Sequence, residues 1–140
     1  MRSITQILND SKNVAIVGLS NKPDRASHGV AAYLQEAGYR VIPVNPAYAG
    51  DTILGEKVYA TLQEAADALA PSGQRIDIVD CFRKSEDIPP IAREAIAVRA
   101  GCLWMQLDIE NQAAADMARA AGIDVVMNHC IKIEHRSLNT

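Results

Sequence analysis

The chain has 140 residues and a formal net charge of −3 at pH 7, with 49% hydrophobic and 22% charged residues. Broad nucleic-acid binding needs a basic face that displaces counterions, so this charge excludes nucleic acid as an expected partner. The apolar runs are only strand length and the polar N-terminus lacks a signal-peptide core, which predicts one globular domain over residues 1–140, no membrane association and a cytoplasmic location. Three widely spaced cysteines do not form a secreted disulfide framework, so we expect reduced thiols.

Apolar runs bounded by turn residues alternate with helical patterns along the chain. The predicted elements are a helix from Ile4 to Leu8, strand Val14 to Gly18, a helix from Ser27 to about Ala37, strand Arg40 to Val44, a short strand Lys57 to Tyr59, a helix from Thr61 to about Leu69, strand Ile76 to Phe82, a helix from about Pro89 to Gly101, strand Cys102 to Gln106, a helix from about Glu110 to Ala121 and strand Asp124 to Met127. Ser3, Ser27 and Thr61 are expected to cap their helices through their hydroxyls.

This alternation is typical of βα units around a mostly parallel sheet with helices on both faces. If Lys57 to Tyr59 is a short third strand, the count matches the doubly wound, Rossmann-like α/β order 3-2-1-4-5-6. The chain then crosses back between its third and fourth strands. We therefore expect a ligand crevice beyond the carboxyl ends of the first and fourth strands, after Gly18 and Phe82.

The loop after the first strand has the composition of a phosphate site. It leads into a helix N-terminus, where free amides and the helix dipole favour anions. The candidate contacts combine close backbone approach, hydroxyls and positive charge, and they are Gly18, Leu19, Ser20, Lys22, Arg25 and Ser27. On loop position alone, an ordinary βα loop with solvated basic residues explains this composition equally well.

NAD(P) is the less favoured nucleotide for this loop. The fingerprint G-x-G-x-x-G is absent, because Ser20 stands two residues after Gly18. The second strand ends in Asn45-Pro46, where an NAD-binding domain places a carboxylate for the adenine ribose. An NAD(P)-binding protein remains an alternative.

Cys81-Phe82-Arg83 faces the loop across the predicted crevice and adds an aromatic surface and positive charge. Coenzyme A carries phosphates and a long pantetheine arm, so it needs such a mixture of charge and apolar wall. Equally well, Arg83 is a surface residue paired with Glu86 or Asp87. Gln106, at the end of a later strand, either reaches the crevice with its amide or bonds a neighbouring loop, whereas Trp104 is expected in the core.

These segments together carry a family resemblance over nearly the whole chain. They are Gly18-x-Ser20 with Pro23, Arg25 and Ser27, then Gly38 to Pro46, Gly50, Gly55, Tyr59, Asp80-Cys-Phe-Arg83, Trp104-Met-Gln106 and Val125-Val-Met127. In this order and spacing the chain resembles the small stand-alone CoA-binding proteins, which are similar to the CoA-binding domain of the succinyl-CoA synthetase alpha subunit. Leu19, where that family usually has alanine, and Asn128-His129, where it usually has Asp-Arg, depart from the pattern.

The resemblance implies a Rossmann-like fold and coenzyme A or an acyl-CoA as ligand. It implies binding through the loop after Gly18, through Asn45-Pro46 and through the segment from Cys81 to Arg83. It does not imply synthetase activity, because the phosphorylated histidine of the synthetase lies in a second domain that this chain is not expected to contain. We therefore expect a ligand-binding module without catalysis of its own, with a homodimer or an unidentified protein partner left open.

Two other chemistries are weaker alternatives. A thiol-dependent or acyl-CoA-processing enzyme would use Cys130 or Cys81, but no nucleophile elbow or matching base is evident. A metal site through His129, Cys130 and His135 is not expected, because adjacent ligands rarely converge on one ion. The tail from Asn128 to His135 is instead expected to pack over the crevice or against a partner subunit.

Overall fold

The computed structural model describes residues 1–138, so the last two residues of the predicted 1–140 domain lie outside the described residues. In chain order its helices and strands are α1 (Ile4–Asp10), β1 (Asn13–Val17), α2 (Ala26–Glu36), β2 (Arg40–Val44), β3 (Thr52–Ile53), β4 (Glu56–Lys57), α3 (Leu62–Leu69), β5 (Ile78–Cys81), α4 (Ile88–Ala97), β6 (Cys102–Met105), α5 (Gln112–Ala120), β7 (Asp124–Val126) and α6 (Ile131–Ser137). Over residues 1–138, no helix is both long enough and apolar enough to cross a membrane.

The central sheet has five parallel strands in the order β2-β1-β5-β6-β7. This order confirms the Rossmann-like α/β class. β2 and β5 lie on opposite sides of β1, so the chain crosses back over β1 between them, as predicted. β1 is buried along its whole length, as its continuous apolar sequence predicts. The crossing places the carboxyl ends of β1 and β5 side by side, which is where the crevice was expected.

The predicted third strand is wrong in detail. Tyr59 makes only an isolated parallel bridge to Val44, through hydrogen bonds to Pro43 and from Asn45 at 3.0 and 2.9 Å. The residues before it, Glu56–Lys57, pair antiparallel with Thr52–Ile53 in a separate hairpin, and α3 begins soon after. The chain therefore touches the expected sheet edge at one residue, and the sheet has five strands rather than six.

Helices cover both faces of the sheet, as predicted. Buried side chains of α3, α4 and α5 share one apolar core with alternate strand residues such as Val17 and Val79. Those of α1, α2 and α6 share the other core with Ile16 and Trp104. Trp104 is fully buried and its indole Nε1 donates to the His129 carbonyl at 2.8 Å, so it belongs to the core.

The helix caps follow the sequence in two cases out of three. Ser3 forms the predicted cap of α1, and Thr61 accepts a hydrogen bond from the Glu64 amide at the start of α3. The prediction that Ser27 caps α2 is wrong, because Arg25 occupies the N-cap position. Ser27 lies inside the first turn, and its hydroxyl is engaged by the preceding loop instead.

The tail forms a helix that the sequence pattern did not predict. α6 packs against α1 and α2 through the fully buried Ile131, so it covers a face of the sheet rather than the crevice. Its first amide, that of Ile131, donates to Gln106 Oε1 at 3.1 Å. With seven residues and little apolar periodicity, α6 depends on these tertiary contacts more than on its own propensity.

Candidate functional site

A cavity of about 400 Å³ opens where the chain crosses back, beyond the carboxyl ends of β1, β2 and β5. It has the size and position of a small-molecule site in a doubly wound sheet. Its lining residues come from three loops and the start of α2, and they are Gly18, Ser20, Lys22, Arg25, Ala26, Ser27, Asn45, Tyr48 and Phe82. Ala26 and Tyr48 carry no sequence signal of their own; Tyr48 reaches the cavity from a 3₁₀ turn after Asn45.

Gly18 allows the loops after β1 and β5 to meet. Its φ is +89°, and a Cβ atom there would lie 2.3 Å from the Phe82 carbonyl oxygen. The Gly18 amide donates to the Val44 carbonyl and the Phe82 amide donates to the Val17 carbonyl, both at 2.9 Å. Only glycine fits this left-handed conformation and this close approach.

The polar side chains of the first loop hold its shape. Ser27 Oγ accepts a hydrogen bond from the Ser20 amide at 3.0 Å, and Ser20 Oγ accepts one from the Lys22 amide at 3.1 Å. Asn45 Nδ2 donates to the Leu19 carbonyl at 3.1 Å, which ties the end of β2 to the loop after β1. Ser27 and Asn45 are therefore positioning residues as well as lining residues.

Positive charge collects at the mouth of this cavity. Lys22 and Arg25 are exposed, and neither forms an ion pair within residues 1–138. The amides of Ala26 and Ser27 belong to the first turn of α2, whose N–H groups lack acceptors within the helix. Two cationic side chains beside a helix N-terminus give this end of the cavity a positive electrostatic character.

A second cavity of about 450 Å³ opens at the ends of the same strands, on the face of the sheet that α3 and α4 cover. Its lining is largely apolar with a charged rim, and it consists of Val17, Val44, Pro46, Ala60, Thr61, Leu62, Arg83, Asp87, Ile91 and Glu94. Arg83 belongs here, but its Nε lies only 3.3 Å from where a Gly18 Cβ would stand, so it borders both cavities. Among the described residues Arg83 forms no ion pair, so the predicted alternative pairing with Glu86 or Asp87 is not seen.

Three predicted contacts lie outside both cavities. The Leu19 side chain is fully buried in the core beneath α2, and Gln106 accepts from the Ile131 amide. Cys81 is fully buried on the other face of the sheet, where desolvation by burial raises the pKa of its thiol well above the ordinary value. Cys81 therefore stays a neutral core thiol, which argues against thiol chemistry at this position.

Asp80 begins the Asp80-Cys-Phe-Arg83 segment that carries part of the family resemblance, and the structure buries it. It is fully buried between Ile16 and Trp104 on neighbouring strands, and neither carboxyl oxygen has a hydrogen-bond partner within the described chain. Desolvation by this burial raises the pKa of Asp80 well above its ordinary value. This burial favours the neutral carboxylic acid over the carboxylate just below the carboxyl edge of the sheet.

Cys130 and the tail histidines do not gather into a metal centre. Cys130 is half-buried at the N-cap of α6, and His135 Nδ1 lies 2.7 Å from the Tyr33 hydroxyl on the far side of that helix. Across residues 1–138, no group of three or more histidine, cysteine, aspartate or glutamate side chains is placed to hold an ion.

Fold and cavity together define a doubly wound α/β protein with a crevice at its topological switch point. Residues 12–136 match the family model described as a CoA binding domain, and the chain belongs to that family.

Relatives cover the chain almost completely. An uncharacterized protein of Bacillus subtilis, YneT, is 42% identical over 132 residues, which is 94% of this chain and 91% of that protein. A solved structure from Thermus thermophilus, cell-free ID.343, has a TM-score of 0.88 at 32% identity and covers 98% of this chain and 99% of its own. A hypothetical protein from Pyrococcus horikoshii OT3 has a TM-score of 0.87 at 36% identity, with 98% and 90% covered.

A more distant structure bears on the nucleotide alternative. RSP in complex with beta-NADH has a TM-score of 0.61 and 19% identity, covering 96% of this chain and 62% of that chain. At this identity the likeness concerns the fold alone. It brings no NADH contact to the residues of this crevice.

Proposed function

We propose that this protein binds coenzyme A or an acyl-CoA in the crevice and that binding is the whole of its own activity. One observation carries the proposal: in a chain of the CoA binding domain family, every predicted contact of the phosphate loop except Leu19 lines a single cavity at the start of α2.

We assign different parts of the ligand to different lining residues according to their chemistry. Lys22, Arg25 and the first-turn amides of α2 bind the phosphates, because these charges are free of carboxylate partners within residues 1–138. Phe82 and Tyr48 supply flat aromatic surface in the same cavity. The pantetheine arm then extends past Arg83 along the apolar wall of the second cavity.

A pure binding role is supported by the state of the cysteines. An enzyme that used Cys81 as a nucleophile would need a reachable thiolate, whereas the Cys81 thiol is buried with a raised pKa. Cys130 lies at the start of α6 and lines neither cavity.

The test is thermal unfolding with CoA, acetyl-CoA, NAD and ADP at equal concentration. A ligand at about a hundred times its dissociation constant stabilises the folded state by about 2.7 kcal/mol, which raises Tm by several degrees. We expect the largest shift with CoA species and a smaller CoA shift for Arg25→Ala. Arg119→Ala, at an exposed arginine on α5 outside both cavities, is the matched control. A larger shift with NAD, or none with CoA, would overturn the proposal.

A further inference from the structure

The two cavities share the ends of the same three strands. Val17 lines the second cavity and Gly18 the first, and the neighbours Asn45 and Pro46 are divided in the same way. Phe82 and Arg83 repeat the division at the end of β5. A ligand held by its phosphates at α2 therefore has to cross the carboxyl edge of the sheet, past these strand ends, to enter the second cavity.

The charges of the two cavities differ in sign. The first holds two cations, Lys22 and Arg25, and no carboxylate among its described lining residues. The second holds two carboxylates, Asp87 and Glu94, against one cation, Arg83. The crevice thus has a positive end and a negative end, and it complements a ligand with an anionic head and a tail that carries no negative charge.

Glu94 is fixed at the wall of the second cavity. Its Oε1 accepts a hydrogen bond from the Leu62 amide at 3.3 Å, at the first residue of α3. Asp87 stands at the N-cap of α4 without a side-chain capping bond, and it forms no ion pair within residues 1–138. Behind them the wall is apolar, with Leu62 and Val44 nearly inaccessible to solvent.

We infer that this site selects acyl-CoA thioesters with an uncharged acyl group and discriminates against acyl groups that end in a free carboxylate. The inference rests on the proposed function and deepens it. An uncharged chain of a few carbons buries apolar surface against the wall, which is favourable. A terminal carboxylate in the same place meets two carboxylates, Asp87 and Glu94, against the single cation Arg83, so the net charge of the lining repels it.

Butyryl-CoA and succinyl-CoA form a matched pair of probes, because both acyl chains have four carbons and differ in a terminal methyl against a carboxylate. We expect butyryl-CoA to bind up to about fivefold more tightly by calorimetry at low ionic strength, as an excess of one negative charge at partial exposure implies. The ratio should fall in higher salt, because the discrimination is electrostatic.

Glu94→Gln removes the negative charge and keeps a side-chain oxygen that can accept from the Leu62 amide. Asp87→Asn removes the charge of the second carboxylate with little change in shape. Each should lower the butyryl-to-succinyl affinity ratio. Glu86→Gln, at an exposed neighbouring carboxylate outside the lining, is the control and should leave the ratio unchanged. A melt without ligand verifies that each variant is folded.

The outcomes separate the two claims. Binding of neither CoA nor either thioester overturns the proposed function itself. CoA binding together with equal or tighter binding of succinyl-CoA overturns the selectivity and leaves the proposed function standing. A ratio that responds to Glu86→Gln as much as to Glu94→Gln overturns the assignment of selectivity to the second cavity.

Discussion

Asp80→Asn should change how the stability of this protein depends on pH. Asp80 is fully buried with both carboxyl oxygens unpartnered within the described residues, and its pKa is raised by desolvation. The native state therefore keeps this proton at pH values where the unfolded chain, with an ordinary aspartate pKa near 3.9, has released it. Above that pH, proton release stabilises the unfolded state relative to the native state. The unfolding free energy therefore falls as pH rises from the unfolded-state pKa towards the native pKa of Asp80.

The size of the effect follows from proton linkage. Each pH unit between the unfolded and native pKa values removes about 1.36 kcal/mol of unfolding free energy. The loss accumulates with each pH unit over which the native state keeps the proton that the unfolded chain has released. Asparagine has nearly the same shape and does not titrate, so this loss is absent in the variant.

Urea unfolding of both proteins from pH 4.5 to pH 8 measures the difference. We expect the unfolding free energy of Asp80→Asn to rise relative to the natural protein as pH increases. Asp77→Asn is the matched control, because Asp77 is half-buried and accepts hydrogen bonds from the Lys12 and Asn13 amides. A difference between Asp80→Asn and the natural protein that stays constant with pH would refute a buried neutral Asp80.

Two further substitutions test the scaffold. Gly18→Ala should lower the unfolding free energy by more than about 2 kcal/mol and weaken CoA binding, because the new Cβ would collide with the Phe82 carbonyl in a left-handed backbone. Gly38→Ala is the control: Gly38 has a φ of +100° but no atom within 4 Å of a Cβ, so this variant should lose only about 1 kcal/mol in the same urea experiment. Trp104→Phe removes the hydrogen bond to the His129 carbonyl. Relative to the natural protein, amide exchange should therefore become faster in α6 than it does in α4. An equal change in the exchange rates of the two helices would contradict the role given to Trp104.

Most of the sheet follows from the sequence because buried parallel strands are continuous apolar runs. The prediction of a third strand in the central sheet was wrong because Glu56–Lys57 pairs locally with Thr52–Ile53 in a hairpin. That competition between local and long-range pairing is not visible in a single run of residues. α6 was missed because seven residues with one buried apolar anchor have no helical periodicity to detect.

The candidate site was predictable where backbone conformation and charge define it. Gly18 and Arg25 mark the loop and lie where the switch-point rule places them. Cys81 is a strand residue whose side chain alternates to the opposite face, so its place in the sequence beside Phe82 did not imply a place in the cavity. Tyr48 enters through a 3₁₀ turn, and the orientation of such a turn depends on tertiary contacts.

The most direct test of CoA binding in the first cavity is a titration followed by amide chemical shifts in ¹⁵N-labelled protein. Our account predicts saturable changes centred on Gly18, Ser20 and Ala26, with weaker changes for an equal concentration of NAD. Changes centred at the amino ends of the strands, around Gly101, would contradict it. So would an absence of any change at CoA concentrations that saturate known CoA sites.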